Sequence, residues 1–371
     1  MVTPIDILFS DAVILLKQLI TTPSFSKEEN DTAEIICTFF VKHQIPHTRI
    51  GNNIYVKNKY FGSAKKSILL NSHHDTVKPN KGYTLNPFTP IEKEGKLFGL
   101  GSNDAGGCLV SLIATFLHFY ERNDLAYNIV FIASAEEEIS GVNGIELVLN
   151  NEAFIHDTHA AFQLPFRGEG SFGIVGEPTK LEMAVAECGL MVIDCIAEGV
   201  AGHAARKEGK SALYKAIDDI DWIRNYKFEK VSILLGESMF TVTVIETENK
   251  QHNIIPSQCK FVIDVRVNEL CTFDEILNEL QNNLQSNFKP RSTRLKSTSI
   301  SLEHPLVKAG IALGKSYYGS PTTSDKALMP FPTLKIGPGD SARSHTAHEY
   351  IYVQEIKNGI ETYINLLNLL L

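Results

Sequence analysis

Only six cysteines occur in the 371 residues, and none stands in a C-x-x-C pair. Cys37, Cys108, Cys188, Cys195, Cys259 and Cys271 are scattered along the chain. That spacing excludes a disulfide framework and a thiolate zinc site, and it reads as reduced, buried thiols of a cytoplasmic protein. No long basic run is present, and the formal net charge is −8. Nucleic acid and anionic membrane surfaces are therefore poor candidates for the main partner. The first residues lack a basic stretch followed by an apolar one, so no secretory signal is expected. The most apolar segment, 108–119, is too short to span a bilayer. Internal repeats and low-complexity tracts are missing as well. What is there is ordinary for a globular protein, with 43% hydrophobic and 21% charged residues. The length exceeds the usual size of a single core, so two domains are expected.

Apolar residues at helical spacing predict a first helix over 6–21, stopped by Thr22-Pro23-Ser24. Ser26 and Glu29 predict a capping box for a second helix reaching His43. Strands are predicted at 53–57 and 67–71, and the second leads directly to His73-His74-Asp75. A glycine-rich loop, 99–107, runs into an apolar helix over 108–120. Strands at 128–133 and 170–175 run on into Glu136-Glu137-Glu138 and Glu177. From about Lys180 the pattern changes. Strands near 184–198, 238–247 and 258–268 and helices near 210–226 and 272–284 read as a compact α+β insertion with an open-faced sheet. Alternating α and β then resumes, with a helix at 304–317, a strand at 333–336 and a last helix at 353–370.

Several acidic and histidine groups stand at or just after predicted strand ends: His73, Asp75, Asp104, Glu137, Glu138, Glu177 and His345. In an open α/β sheet such ends share one edge, so these side chains can converge. Each has a plainer alternative. His73 and His74 can be ordinary loop histidines, Asp104 a helix N-cap, and the three glutamates a solvated helix start. Glu177 can be a turn residue before Pro178, and His203 a loop histidine without a role. A phosphate-binding reading of the glycine loop is disfavoured, because G-x-x-x-x-G-K-[ST] is absent and Asp104 would repel the anion. Taken together, two histidines and several carboxylates without cysteine suit zinc, cobalt or manganese in a hydrolytic site. Five ligands with one shared carboxylate are enough for two metal ions about 3.5 Å apart.

The motifs His73-x-Asp75-Thr76-Val77, Gly99-Leu100-Gly101-x-x-Asp104-x-x-Gly107, Ala135-Glu136-Glu137-Glu138, Val175-Gly176-Glu177-Pro178-Thr179, Gly202-His203-Ala204 and Gly337-Pro338-Gly339 through His345-x-x-x-Glu349 follow one another in order. In this the chain resembles, over essentially its whole length, the dinuclear zinc amidohydrolases. That family includes acetylornithine deacetylase, succinyl-diaminopimelate desuccinylase, aminoacylase and carboxypeptidase G. It looks most like the acetylornithine deacetylase branch, through residues 99–104 and 337–345. There are departures from the family pattern. Glu136 replaces a usual Asp, Ala105-Gly106-Gly107 replaces Met-Lys-Gly, and His348 replaces a common acidic residue.

The resemblance implies an α/β fold, with a zinc-aminopeptidase-like catalytic domain whose central mixed sheet is flanked by helices. That domain would take residues 1–181 and 291–371. A ferredoxin-like α+β lid or dimerisation domain would be inserted over 182–290. It also implies the roles. Asp104 bridges two divalent ions, with zinc expected and cobalt possible. His73 and Glu177 complete one site, and Glu138 and His345 the other. Glu137 is the general base, and Asp75 orients His73. His203 helps hold the oxyanion, from the other subunit in dimeric members, and Asn253 and Arg266 hold the substrate carboxylate. A cis peptide is expected at Asp104–Ala105. The implied reaction is hydrolysis of an N-acyl amino acid by a cytoplasmic homodimer. N-acetylornithine, N-acetylcitrulline or N-succinylornithine in arginine biosynthesis are the first expectation. Alternatives are a succinyl-diaminopimelate desuccinylase, a dipeptidase or an aminoacylase of the same family. From another class, a non-catalytic metal- or amino-acid-binding protein would have lost the base or a ligand, and all of those residues are present.

Overall fold

The computed structural model describes residues 4–163, 170–206 and 208–371. No helix among them is long and apolar enough to cross a membrane. The chain forms two compact units. The first takes Met1–Val185, Ile300–Tyr318 and Ser324–Leu371; the second takes Ala186–Ser299 and Gly319–Thr323.

The first unit is built on a mixed sheet. Its strands lie in the order His47–Ile50, Asn53–Lys57, Asn128–Ser134, Ser67–His73, Phe172–Val175, Thr333–Lys335 and Met183–Glu187. The four strands from Asn128–Ser134 to Thr333–Lys335 are parallel; Asn53–Lys57 and Met183–Glu187 flank them antiparallel, and His47–Ile50 pairs antiparallel with Asn53–Lys57. Every residue of Ser67–His73 and Asn128–Ser134 is buried. Burial on both faces is what an almost unbroken apolar run requires of a parallel strand. On one face Phe131 packs with Phe40 and Phe116. On the other, Leu69, Val130 and Ile132 meet Val148, Leu149 and Phe154. The helix Gly107–Phe119 is apolar almost all round because it lies between the sheet and the helices Ile5–Ile20 and Val353–Asn368.

Parallel strands present all their C-terminal ends on one edge. Here those ends lead into His73, the Glu136–Glu138 turn, Glu177 and the 336–349 segment.

The second unit follows the order strand, helix, strand, strand, helix, strand: Gly189–Glu198, Ala212–Asn225, Met239–Thr247, Gln258–Val267, Phe273–Asn283 and Asn287–Pro290. Its four-stranded antiparallel sheet has the order Met239–Thr247, Gln258–Val267, Gly189–Glu198, Asn287–Pro290. Alternate residues Met191, Ile193, Cys195 and Ala197 face Ala212, Ala216, Ile276 and Leu280 of the two helices. This is the ferredoxin-like arrangement.

Several elements differ from expectation. Ser26 and Glu29 do not form a capping box: the helix Asn30–Lys42 has no side-chain cap, and both residues serve the acidic edge described below. The expected strand over 184–198 is two strands, Met183–Glu187 and Gly189–Glu198. The helix expected to reach residue 317 ends at Ala312. There Gly314, at φ +73°, closes a Schellman turn in which Lys315 N–H bonds Gly310 O and Gly314 N–H bonds Ile311 O.

Candidate metal centre

His73 is the last residue of its strand and is almost fully buried. Its Nδ1 lies 3.0 Å from the backbone carbonyl of Asp75, which can only accept, so Nδ1 carries the proton. Nε2 is thereby aimed into an acidic cluster. Asp104 Oδ1 lies 3.2 Å away, Glu177 Oε1 3.7 Å and Glu137 Oε2 3.8 Å. The second oxygen of Asp104, Oδ2, lies 3.6 Å from His345 Nε2, which in turn is 3.0 Å from Glu138 Oε2. One carboxylate thus turns an oxygen toward each imidazole. The peptide after it, Asp104–Ala105, is cis.

The electrostatics are those of crowded like charge. Burial pushes Glu177 up to about 8, with Asp104 adding to the effect and His73 opposing it. Burial likewise raises Glu137 well above the carboxylate range, helped by Glu177, Asp325 and Glu138, and it raises Glu138. Burial works to lower His73, but Glu137, Asp104, Asp75 and Glu177 outweigh it and hold the imidazole well above its usual value. Burial also works to raise Asp104, and the pull of His73 and His345 leaves it below the usual value. The hydrogen bond with Glu138 raises His345 to about 9.

Glu177 Oε1 is buried without a hydrogen-bond partner among the described residues. Two three-residue groups, His73/Asp104/Glu138 and His73/Glu137/Glu177, bring their donor atoms within 4.8 Å of one another. An orphaned carboxylate oxygen, an imidazole nitrogen facing three acids and an all-N,O donor set fit divalent cations.

Asp75 does more than face His73. Its Oδ1 is 3.4 Å from His73 Nδ1 and accepts from Glu137 N–H at 3.1 Å. Its Oδ2 accepts from Glu138 N–H at 3.2 Å and from the Ser26 hydroxyl at 2.7 Å. Glu136 sits at φ +54° and donates its N–H to Glu29 Oε1 at 3.2 Å. The acidic turn, a single 3-10 turn over Glu137–Ile139, is therefore hung from two buried carboxylates and not from a solvated helix start. His74 is buried and turned away from the cluster, with Nε2 2.9 Å from Asn52 O and Nδ1 2.9 Å from Thr32 Oγ1. His348 Nε2 contacts Thr84 Oγ1 at 2.9 Å.

His203, Asn253 and Arg266 belong to the second unit. The pair Gly202–His203 is antiparallel to Ile254–Ile255, and Ala204 N–H bonds Asn253 O at 3.0 Å, so His203 and Asn253 are neighbours. Arg266 is held in a two-pronged pair with Asp264, at 2.8 and 3.1 Å.

Three residues escaped the sequence reading. Asp325 is buried, accepts from Ser134 Oγ at 2.6 Å and adds to the charge around Glu137. Nothing local in Ser324-Asp325-Lys326 signals this. Ser26 fits a capping pattern in sequence, which masks its bond to Asp75. Glu349 stood only as a spacing mark after His345, yet its carboxylate is buried against the Asp104 turn.

Comparison with known proteins places the chain by sequence and by fold. A curated relative, the succinyl-diaminopimelate desuccinylase of Rickettsia bellii (strain OSU 85-389), is 26% identical over 280 residues, spanning 72% of this chain and 69% of its own. Among solved structures, an M20 family metallo-carboxypeptidase from Sulfolobus solfataricus superposes with a TM-score of 0.74 at 15% identity, over 96% of this chain and 98% of its own. A Bacillus subtilis protein described as a dinuclear metal binding peptidase from the M20 family gives a TM-score of 0.66 at 14% identity, over 98% of both chains. These structural likenesses establish the mixed α/β fold. Residues 69–369 match the family described as Peptidase family M20/M25/M40. The chain belongs to that family and is a metal-dependent amidohydrolase.

Proposed function

We propose that the chain hydrolyses the amide bond of an N-acyl amino acid at a pair of divalent cations, zinc first and cobalt as an alternative. One observation carries this reading: the two oxygens of Asp104 face two imidazoles, 3.2 Å from His73 and 3.6 Å from His345, with Glu137 beside them. His73, Asp104 and Glu177 would hold one cation, and Asp104, Glu138 and His345 the other. Such cations supply Lewis-acid polarisation of the acyl carbonyl and make water a competent nucleophile at neutral pH.

The remaining work belongs to side chains. Glu137 takes a proton from the attacking water on its carboxylate and returns it to the leaving amine nitrogen. Its pKa, raised by burial and the neighbouring carboxylates, makes it a stronger base for the proton of water than an ordinary carboxylate. Asp75 fixes the ring of His73 and the backbone of Glu137 together. His203 would donate to the oxyanion. Asn253 and Arg266 would hold the substrate carboxylate, which Arg266 can grip with two hydrogen bonds once it exchanges Asp264 for it.

The motifs at 99–104 and 337–345 support N-acetylornithine, with N-acetylcitrulline and N-succinylornithine as close variants and arginine biosynthesis as the setting. A second reading, desuccinylation of N-succinyl-diaminopimelate, is favoured by the name of the relative at 26% identity. A homodimer is supported by the edge strand Met239–Thr247, which pairs on one side only and exposes Met239, Val244 and Ile245.

The deciding experiment compares kcat/KM on these four substrates with the zinc- and cobalt-loaded enzyme. A clear preference for an N-acetyl substrate is expected. Preference for the diaminopimelate substrate selects the second reading. Turnover of dipeptides or simple N-acyl amino acids alone points to a dipeptidase or aminoacylase. Metal binding with no hydrolysis of any amide would sink the enzymatic assignment.

A further inference from the structure

We infer that Glu349 is a positioning residue for the metal centre: its buried carboxylate sets the Gly101–Asp104 turn, and through that turn it aims the oxygens of Asp104. The inference rests on the two-cation reading above. Glu349 Oε1 accepts from Asn103 N–H at 2.8 Å and Asp104 N–H at 2.9 Å, and Oε2 accepts from Gly101 N–H at 3.2 Å. Three backbone donors converge on one side chain that is 2% exposed. A turn of this kind is an anion cradle, and here the chain supplies the anion itself.

The turn needs an external anchor. Gly101 is at φ +74°, and a Cβ there would meet Thr76 Cγ2 at 2.5 Å. Asp104 and Ala105 have non-helical backbone angles, so the turn lacks the regular ladder of the helix that follows. Asn103 adds a second tie, its side chain exchanging bonds of 3.0 Å with the backbone N–H and C=O of Asp340. Both ties come from the segment that carries His345. Glu349 stands four residues beyond His345, and its own carbonyl accepts from Gly99 N–H at 3.0 Å. One short stretch therefore presents His345 and holds Asp104, so the two candidate ligands are set against each other by a single carboxylate. A neutral anchor would be cheaper beside the negatively charged Asp104. The three backbone N–H donors offset part of that cost, and cations at the centre would offset more.

The test uses E349Q and E349A in the full chain. Glutamine keeps the shape but has one acceptor oxygen, so its NH2 must face a backbone N–H. Metal-free protein is titrated with Co2+ by visible absorption, and kcat and KM are measured separately. We expect folded variants by circular dichroism, Co2+ affinity weakened about 10–100-fold, an altered Co2+ band, and a lower kcat with KM nearly unchanged. If E349A fails to fold, E349Q decides. Wild-type Co2+ affinity and band in a folded variant overturn the inference alone. Failure of both variants to fold also overturns it, since the residue would then serve the fold at large. If the wild-type protein binds no Co2+, the metal-centre reading itself fails and this inference goes with it.

Discussion

Removing divalent cations and then raising the pH should weaken the first unit selectively. Glu177 and Glu349 are each pushed by burial up to about 8, from 4.5 in an unfolded chain. Between those values the metal-free native state holds two protons on these groups that the unfolded chain has released, and Glu137 and His73, both raised as well, act in the same direction. Stability is then present at low pH and is lost as pH rises through the folded pKa. His345, raised to about 9 by Glu138, acts in the same direction from 6.5 upward, but more weakly because it is half exposed. His74, lowered to about 4 by burial, acts the other way, though only between 4 and 6.5. The decline should therefore stand clear between pH 6.5 and 8. The protons on Glu177 and Glu349 alone correspond to about 2–3 kcal/mol per pH unit, a large share of the roughly 5–15 kcal/mol that holds a domain together. Hydrogen exchange, corrected for its intrinsic pH dependence, reads the effect in segments 67–77 and 97–110. Segments 189–198 and 258–267 of the second unit serve as the internal control. Saturating Zn2+ should flatten the slope, because bound cations take the place of the protons. A metal-free first unit whose stability is flat or rises across this window would refute the reasoning.

Other outcomes follow from the same geometry. E137Q should lose about 10²–10⁴-fold in kcat while keeping close to two cations per chain, and near wild-type turnover would remove its role as base. H345A should lower cation occupancy, and full retention of both ions would end its candidacy as a ligand. S26A removes the 2.7 Å bond to Asp75, a charge-assisted contact worth about 1.5–3 kcal/mol; denaturant unfolding should register the loss, with a fall in kcat, and no change in either would show that Asp75 does not need it. Nitrogen NMR should find His74 neutral, with its proton on Nε2 facing Asn52, throughout pH 5–8; a titration near 6.5 would contradict the buried bridge. F131A empties space between Phe40 and Phe116 and should cost about 3–5 kcal/mol, measurable by chemical denaturation.

Much of the architecture could be read from patterns of period and punctuation. Ile68, Leu69 and Leu70, and Ile129 to Ala133, are apolar on both faces, and only buried parallel strands account for them. Acids placed just beyond those runs had to meet at one edge, and His73, Asp104, Glu137, Glu138, Glu177 and His345 do meet there. What escaped reading depends on distant contacts. Ser26 obeys the capping rule in sequence, but Asp75, 49 residues away, is a stronger acceptor for its hydroxyl. Between Met183–Glu187 and Gly189–Glu198 the only local mark is the lone Gly189, too weak a signal to split an otherwise continuous apolar pattern. Asp325 is polar among ordinary loop residues, and only the sheet packed over it reveals that it is buried. Arg266 looked available for a substrate, yet Asp264 lies two positions along the same face of the strand and occupies it.

The strand Thr333–Lys335 lies between Phe172–Val175 and Met183–Glu187, although it is made some 150 residues after them. A chain emerging from the ribosome must therefore wait, with one long side of Phe172–Val175 unpaired, until Thr333–Lys335 has been synthesised. During that interval an apolar edge is open to other nascent chains. The same timing would delay assembly of the proposed cation site, since His345 follows the closing strand. Truncation near the C-terminus should consequently yield aggregates in the cell rather than a smaller folded remnant, and co-expression of a holding chaperone should matter most for slowly translated messages.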